Sequence, residues 1–166
     1  MKEEIKKFSP AIYGLVLICF FLPFTHISCA GEKVATLTGV QLVTGTTIEG
    51  PPSAFGEKEK SEKVEPEPLA ILTLITAIIG FGVSFLKDRK STLLTALIGG
   101  FGLISLLLLK SKIDNEVLRK GEGILRVEYG FGFWLVLLLF LCAIGLNGFL
   151  FSEIEEEDSE LIKQIE

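Results

Sequence analysis

Asp, Glu, Lys, Arg and His are missing from four long apolar stretches of this 166-residue chain, although 22% of its residues are charged. The stretches cover residues 10–24, 68–86, 92–109 and 131–151. A charge at the centre of a bilayer costs about 3 kcal/mol or more, so such segregation of charge is typical of polytopic membrane proteins. At about 1.5 Å of helix per residue, the last three stretches can each cross a hydrocarbon core of about 30 Å. The missing charges therefore predict membrane-spanning helices.

Histidine and cysteine are also scarce, which excludes two kinds of membrane enzyme. A haem-carrying four-helix bundle normally needs several histidines deep in its helices, whereas this chain has one, His26, at a predicted helix end. A quinone-linked thiol–disulfide enzyme needs paired cysteines at an outer face. Cys19 and Cys142 lie within the apolar stretches and leave Cys29 without a partner. We favour burial of Cys29 as a small apolar residue; a free thiol, a modified thiol or a disulfide to a second subunit are alternatives.

His26, Ser28 and Cys29 are the remaining candidates for a nucleophile with its base, or for half of a metal site. Because the three are local in sequence and no third group is nearby to orient them, His26 and Cys29 are weak site candidates. We expect no catalytic residues, no cofactor and no metal ligands, and hence no enzymatic activity.

Transport by a single chain is also poorly supported, since ion or proton translocation usually requires ionisable groups at membrane depth. Asn147 is the strongest polar group in the last stretch. A pore formed by oligomerisation and lined by Thr and Ser is the alternative.

The predicted fold is an all-α membrane protein, a four-transmembrane-helix bundle with a small extracytoplasmic β-element. Its divisions are a cytoplasmic N-tail (1–9), TM1 (10–27), an extracytoplasmic β-like loop and linker (28–67), TM2 (68–86), a cytoplasmic turn (87–91), TM3 (92–109), an extracytoplasmic hairpin (110–129), TM4 (130–151) and an acidic cytoplasmic tail (152–166). Ser9 and Pro10 are typical of an N-cap and a first helical position. We therefore favour retention of the first stretch as a helix over its removal as a cleaved signal.

Two segments between the helices show strand-like patterns. Residues 33–48 are rich in Val, Thr and Leu and are broken by Gly39 and Gly45, which predicts two short strands with a turn. Residues 117–129 contain two half-alternating runs around Gly-Glu-Gly, which predicts a hairpin. Because single hairpins are marginal in water, we expect both segments to pair into one sheet; two independent mobile loops are the alternative.

Small residues recur on the second and third apolar stretches, where they would let helix backbones approach closely in lipid. The predicted helix-packing residues are Thr76, Gly80, Ser84, Ala96, Gly99 and Gly100. Aromatic residues near the helix ends, Tyr13, Tyr129 and Trp134, are predicted to be interfacial anchors. A remote duplication of the second and third stretches is a further, less favoured interpretation of their shared Gly-Phe-Gly motif.

The segment after the first stretch contains the motif Ser28-Cys29-Ala30-Gly31, which is followed by Thr36-Leu37-Thr38-Gly39. It resembles a pattern in small uncharacterised bacterial four-span membrane proteins, in which a Pro-aromatic helix end leads into such a segment. The resemblance implies a bacterial inner-membrane protein and brings no established activity.

Cations are dense before the first helix and at residues 87–90, which favours both termini in the cytoplasm. The acidic tail begins with a capping-box pattern at Ser152; we expect it to be solvated and largely disordered, or alternatively to dock on a basic cytoplasmic partner. We expect contacts with membrane lipid and with other membrane subunits or further copies of the chain, and none with nucleic acid. The preferred function is a structural or accessory subunit of a membrane assembly; the alternative is a small oligomeric channel or transporter component.

Overall fold

The computed structural model describes residues 2–29, 32–48, 62–86, 89–120 and 125–165. Most of these residues are helical, as predicted. The elements in chain order are α1 (Lys2–Cys19), β1 (Pro23–Cys29), β2 (Glu32–Thr38), α2 (Gly39–Thr44), β3 (Thr46–Ile48), β4 (Glu62–Val64), α3 (Pro68–Val83), α4 (Arg89–Lys120), β5 (Leu125–Tyr129) and α5 (Phe131–Ile165). Residues 50–61 of the linker predicted over 50–68, the centre of the turn at 87–88 and the Gly-Glu-Gly motif lie outside the described residues. The described part of that linker contains strand β4.

The four long helices form a closed ring in which α1 and α4 each pack against both α3 and α5. Ser9, near the start of α1, contacts Ser84 at the end of α3 and Asn147 near the middle of α5, and β1, which follows α1, pairs with β5, which precedes α5. Successive long helices therefore run in opposite directions. The interior of the ring is filled by large side chains that are almost completely buried, among them Tyr13, Val16, Leu106, Phe133, Val136 and Phe140.

The outer surface of the ring is apolar on all four helices. Ile18 on α1, Ile78 on α3, Leu97 on α4 and Leu138 on α5 each expose more than half of their surface. Two segments, Ser91–Val117 and Phe131–Ser152, are long and apolar enough to cross a membrane, whereas Phe8–Cys19 and Pro68–Val83 are shorter apolar helices. So extensive an exposed apolar surface is far beyond the patches found on soluble monomers and is typical of contact with lipid.

Three strands form an antiparallel sheet in the order β2-β1-β5 at the end of the ring where α1 ends and α5 begins. Strand β1 aligns Thr25 with Tyr129 and Cys29 with Leu125 of β5. The sheet therefore joins the segment after α1 to the segment before α5. Strands β3 and β4 form a separate antiparallel pair.

The prediction of two simple strands over residues 33–48 is wrong in its centre, where Gly39–Thr44 form the short helix α2. Thr38 and Gln41 form a capping box: the Thr38 hydroxyl accepts from the Gln41 backbone N–H, and the Gln41 side chain accepts from the Thr38 N–H. This pair satisfies two backbone donors that a strand would direct to a neighbour.

The predicted hairpin over residues 117–129 is also wrong in its first half. Helix α4 continues through Lys120, so its 32 residues extend well beyond the predicted end at residue 109. The second half forms β5, which pairs with β1 rather than with a hairpin partner. The change to polar side chains after Leu109 does not end the helix, because residues 110–120 contain neither glycine nor proline and polar residues are compatible with helical backbone.

Helix α1 differs from its prediction at both ends. It begins at Lys2 and includes Pro10 in its interior, so Ser9 is not the N-cap. It ends at Cys19, and Pro23 begins strand β1 instead of lying within a helix that reaches residue 27. Proline has no N–H to continue the helical ladder, which favours the change of structure at this point.

Helix α5 continues without a break to Ile165. The prediction of a largely disordered tail after residue 151 is therefore wrong for the backbone, and Ser152 lies inside a helix rather than at its start. At about 1.5 Å per residue, its 35 residues measure about 52 Å, which is longer than a bilayer core.

Candidate functional site

Tyr13 is the centre of helix packing in the ring. Its side chain is fully buried, and its hydroxyl donates to the backbone carbonyl of Thr95 on α4 at 2.8 Å. Gly80 of α3 lies so close to the Tyr13 ring that an added Cβ would overlap it, and a Cβ on Gly99 of α4 would lie 2.8 Å from the hydroxyl. Tyr13 is thus held between two glycines, and its predicted role as an interfacial anchor is wrong.

The six predicted packing residues divide into different roles. Gly80 and Gly99 bring α3 and α4 against α1. Thr76 and Ser84 direct their hydroxyls to carbonyls of their own helix, at 2.7 Å each, and Ala96 is half-buried.

Gly100 does not take part in this packing, since nothing lies within 4 Å of a Cβ placed there. It follows Gly99 by about 100° of helix rotation and therefore lies on the outer side of α4.

A buried polar cluster joins three helices at the opposite end of the ring from the sheet. Ser9 Oγ donates to Asn147 Oδ1 at 3.2 Å and lies 3.3 Å from Ser84 Oγ. The Asn147 amide also donates to the carbonyl of Ala143 at 2.8 Å. Because each polar group has a partner within the cluster, Asn147 acts as a helix-to-helix tie rather than as a group awaiting a ligand.

A second polar cluster connects the sheet to α4. The Tyr129 hydroxyl lies 2.7 Å from Asp114 Oδ1 and 3.0 Å from the carbonyl of Lys110, two acceptors for its proton. Lys110 Nζ donates to Asp114 Oδ2 at 2.7 Å and lies 4.7 Å from the centre of the Tyr129 ring. Burial, followed by the hydrogen bond to Asp114 and the charge of that carboxylate, raises the pKa of Tyr129, so the phenol remains a hydrogen-bond donor.

Aromatic and backbone contacts extend this junction into the ring. The Tyr129 and Phe133 rings lie 4.7 Å apart, and the N–H of Gly130 donates to the carbonyl of Phe24 at 2.8 Å. A Cβ on Gly130 would lie too close to the carbonyl of Pro23. The sheet and the start of α5 are therefore in direct contact.

An ion pair closes the same end of the ring between α3 and α4. Lys112 Nζ donates to Glu67 Oε2 at 2.9 Å, while Glu116 on the next turn of α4 is more distant, at 3.9 Å.

The weak candidate His26 contacts a neighbouring strand of the sheet. His26 Nδ1 lies 2.9 Å from the Thr36 hydroxyl on β2, and Ser28 donates to the carbonyl of Arg126 on β5 at 3.3 Å. Each therefore ties β1 to a different neighbouring strand. The side chain of Cys29 lies outside the described part of the structure, and no group of three or more potential metal ligands occurs among the described residues.

Sequence reasoning missed the cluster of Lys110, Asp114 and Tyr129 and the role of Tyr13. The spacing of four residues between Lys110 and Asp114 was a visible signal, because such residues are neighbours on a helix. The contribution of Tyr129 depends on strand pairing, which the local sequence does not specify.

One family model matches this chain. It describes the N-terminal domain of the ABC transporter permease YehY, and the match covers residues 59–145, just over half of the chain. The chain belongs to this family.

The matched range contains β4, α3, α4, β5 and the first part of α5. It includes both glycines around Tyr13 and the Lys110–Asp114–Tyr129 cluster, whereas Tyr13 itself and strands β1 to β3 lie before it. A permease domain places the chain in a membrane, in agreement with the apolar outer surface of the ring. No curated protein gives a significant match.

Proposed function

We propose that this chain is a non-catalytic membrane module of an ABC transporter, which associates with other permease subunits instead of forming a transport path alone. The match to the N-terminal domain of the permease YehY carries this proposal. The proposal combines two functions predicted from the sequence: the preferred accessory subunit and the alternative transporter component.

The packing of the ring supports an accessory role. The space between the four helices is occupied by Tyr13, Val136 and Phe140, all of which are completely buried. Dense aromatic and aliphatic packing leaves no room for a hydrated path through one chain. Ser9 and Asn147, at membrane depth, form their hydrogen bonds with each other.

The arrangement of the helices supports four spans. The shorter helices α1 and α3 are neighbours in the ring, as are the longer α4 and α5, and all four have apolar outer faces. Two spans alone would leave the outer faces of α1 and α3 in water. We therefore propose that all four helices cross the membrane, with short turns such as Phe20–Leu22 completing the length of α1.

We infer the orientation from the residues at the two ends of the ring. The start of α1, the α3–α4 connection and the acidic half of α5 lie at one end, and the three-stranded sheet lies at the other. We place the first end in the bacterial cytoplasm, because it carries the dense cations of residues 2–7 and 87–90. The sheet is then extracytoplasmic.

Purification of the tagged chain at its natural expression level, in a mild detergent, tests the proposed assembly. We expect a stoichiometric complex that contains a membrane permease subunit and an ATP-binding subunit, the latter identified by mass spectrometry and by its ATPase activity. The control is the same tag on an unrelated four-span protein. Recovery of the chain alone, or only as a homo-oligomer, would contradict the proposal.

A further inference from the structure

A cleft with a volume of about 450 Å³ opens between the start of α3 and the polar end of α4. Leu69 and Leu108 form its apolar part, and its polar lining is Ser111, Lys112, Asn115, Glu116 and Arg119. Positions 108, 112, 115 and 119 of α4 are three or four residues apart, so they lie along one side of the helix. The cleft thus changes from apolar to charged along a single helix face.

The charged part of the cleft offers one cation and one anion for a ligand. Lys112 is already held by Glu67 at 2.9 Å. Arg119 is exposed and has no ion-pair partner in the part of the chain that the structure describes, and Glu116 has only the long 3.9 Å contact with Lys112. Arg119 and Glu116 are three residues apart and are therefore neighbours on the helix surface.

The position of the cleft matches the level of lipid headgroups. The apolar run of α4 ends at Leu109, and Lys110 begins its polar extension. Leu107 and Leu108, next to the cleft, expose about half of their surface. A lipid of the surrounding leaflet would therefore place its acyl chain against the apolar part of the cleft. Its headgroup would lie at the depth of the charged groups.

We propose that this cleft binds an aminophospholipid of the phosphatidylethanolamine type. The headgroup phosphate pairs with the Arg119 guanidinium and with the side chains of Asn115 and Ser111, while the primary ammonium donates to the Glu116 carboxylate. One acyl chain lies over Leu69 and Leu108. A choline headgroup has no N–H group to donate a hydrogen bond to the Glu116 carboxylate. A headgroup that carries only negative charge would place that charge beside the negative Glu116 carboxylate. The inference requires the membrane setting but not the proposed ABC assembly.

Native mass spectrometry of the full chain in detergent tests this site with phosphatidylethanolamine, phosphatidylcholine and phosphatidylglycerol of identical acyl chains. We expect the first bound phosphatidylethanolamine to be retained about tenfold better than phosphatidylcholine, because charge-assisted hydrogen bonds are the stronger ones. Arg119→Gln should remove most of this retention for both lipids. Glu116→Gln should remove mainly the preference for the ethanolamine headgroup.

The matched control is Arg126→Gln, which removes an exposed arginine from β5 at the same end of the molecule but outside the cleft. It should leave lipid retention unchanged, and melting curves should show that all variants remain folded. Equal losses in Arg119→Gln and Arg126→Gln would overturn the site, because they would indicate non-specific charge attraction. Equal retention of the three lipids by the unmodified chain, or a preference for phosphatidylglycerol, would overturn it as well.

Discussion

The Tyr13 ring leaves no space for a methyl group at position 80. Gly80→Ala should therefore lower the free energy of unfolding in detergent by about 1–3 kcal/mol, the usual cost of overpacking a core. Gly100→Ala is the matched control, since it adds the same methyl group to open space on α4. It should leave stability unchanged or raise it slightly, because alanine is the better helix former. Similar melting shifts in the two variants would contradict the arrangement around Tyr13.

The Tyr13 hydroxyl bridges α1 and α4 through the carbonyl of Thr95. Tyr13→Phe should cost about 0.6 kcal/mol, the mean for hydrogen bonds between membrane helices, and no more than about 1.7 kcal/mol, their maximum. Gly99→Ala should also destabilise, because its Cβ would lie 2.8 Å from that hydroxyl. The two losses should not add: Gly99→Ala should cost less in the Tyr13→Phe protein, where the clashing oxygen is absent. A double-mutant cycle by thermal unfolding measures this, and strict additivity would show that the two residues do not interact.

The glycines illustrate how far single residues could be predicted. Spacing of small residues identified Gly80 and Gly99 as positions of close approach, but it included Gly100 as well. Adjacent residues on a helix point about 100° apart, so Gly99 and Gly100 cannot both face the same neighbour. The partner could not be predicted either. Tyr13 is distant in sequence, and nothing in its local pattern distinguishes a buried tyrosine from an interfacial one.

At the scale of elements, the Tyr129 side chain connects strand β5 to α4. The Tyr129 hydroxyl contacts both Asp114 and the carbonyl of Lys110. Tyr129→Phe keeps the ring contact with Phe133 and removes these hydrogen bonds, so it should loosen the sheet without loosening the ring. We expect faster hydrogen exchange at the β1 and β5 amides, equivalent to a loss of about 1–2 kcal/mol, with unchanged exchange in α3.

Tyr13→Phe serves as the control for this experiment, because it should affect exchange in the helices and not in the sheet. If Tyr129→Phe changed exchange in all elements equally, the sheet and the ring would unfold as one unit, and the junction would not be a separate tie.

The helices and strands differ in how well the local sequence predicts them. The absence of charge located the four long helices, because lipid leaves the backbone few alternatives to a helix. Helix α2 was missed although Thr38 and Gln41 have the spacing of a capping box, since Val and Thr around them favour strands. The start of α1 was misplaced because Ser9 and Pro10 have the residue types of a helix start. In the structure Ser9 uses its hydroxyl to contact Asn147 and Ser84 instead.

At the scale of the whole molecule, the question is whether lipid or water covers the outer side of α5. Cys142 lies on this side and is exposed, whereas Cys19 is buried. In a Cys29→Ser protein within native membranes, a lipid-soluble maleimide should label Cys142 faster than Cys19. A permanently charged thiol reagent should label neither, because it does not enter the hydrocarbon region. Intact mass after labelling gives both rates, and labelling in SDS shows that both thiols can react.

The outcome separates the two kinds of assembly considered for this chain. In an oligomeric channel that turns α5 toward a water-filled axis, the charged reagent would reach Cys142. A module packed beside other permease subunits leaves this face to lipid or to a neighbouring helix. Rapid modification by the charged reagent in intact membranes would contradict the packed, accessory role, because the ring interior itself has no space for water.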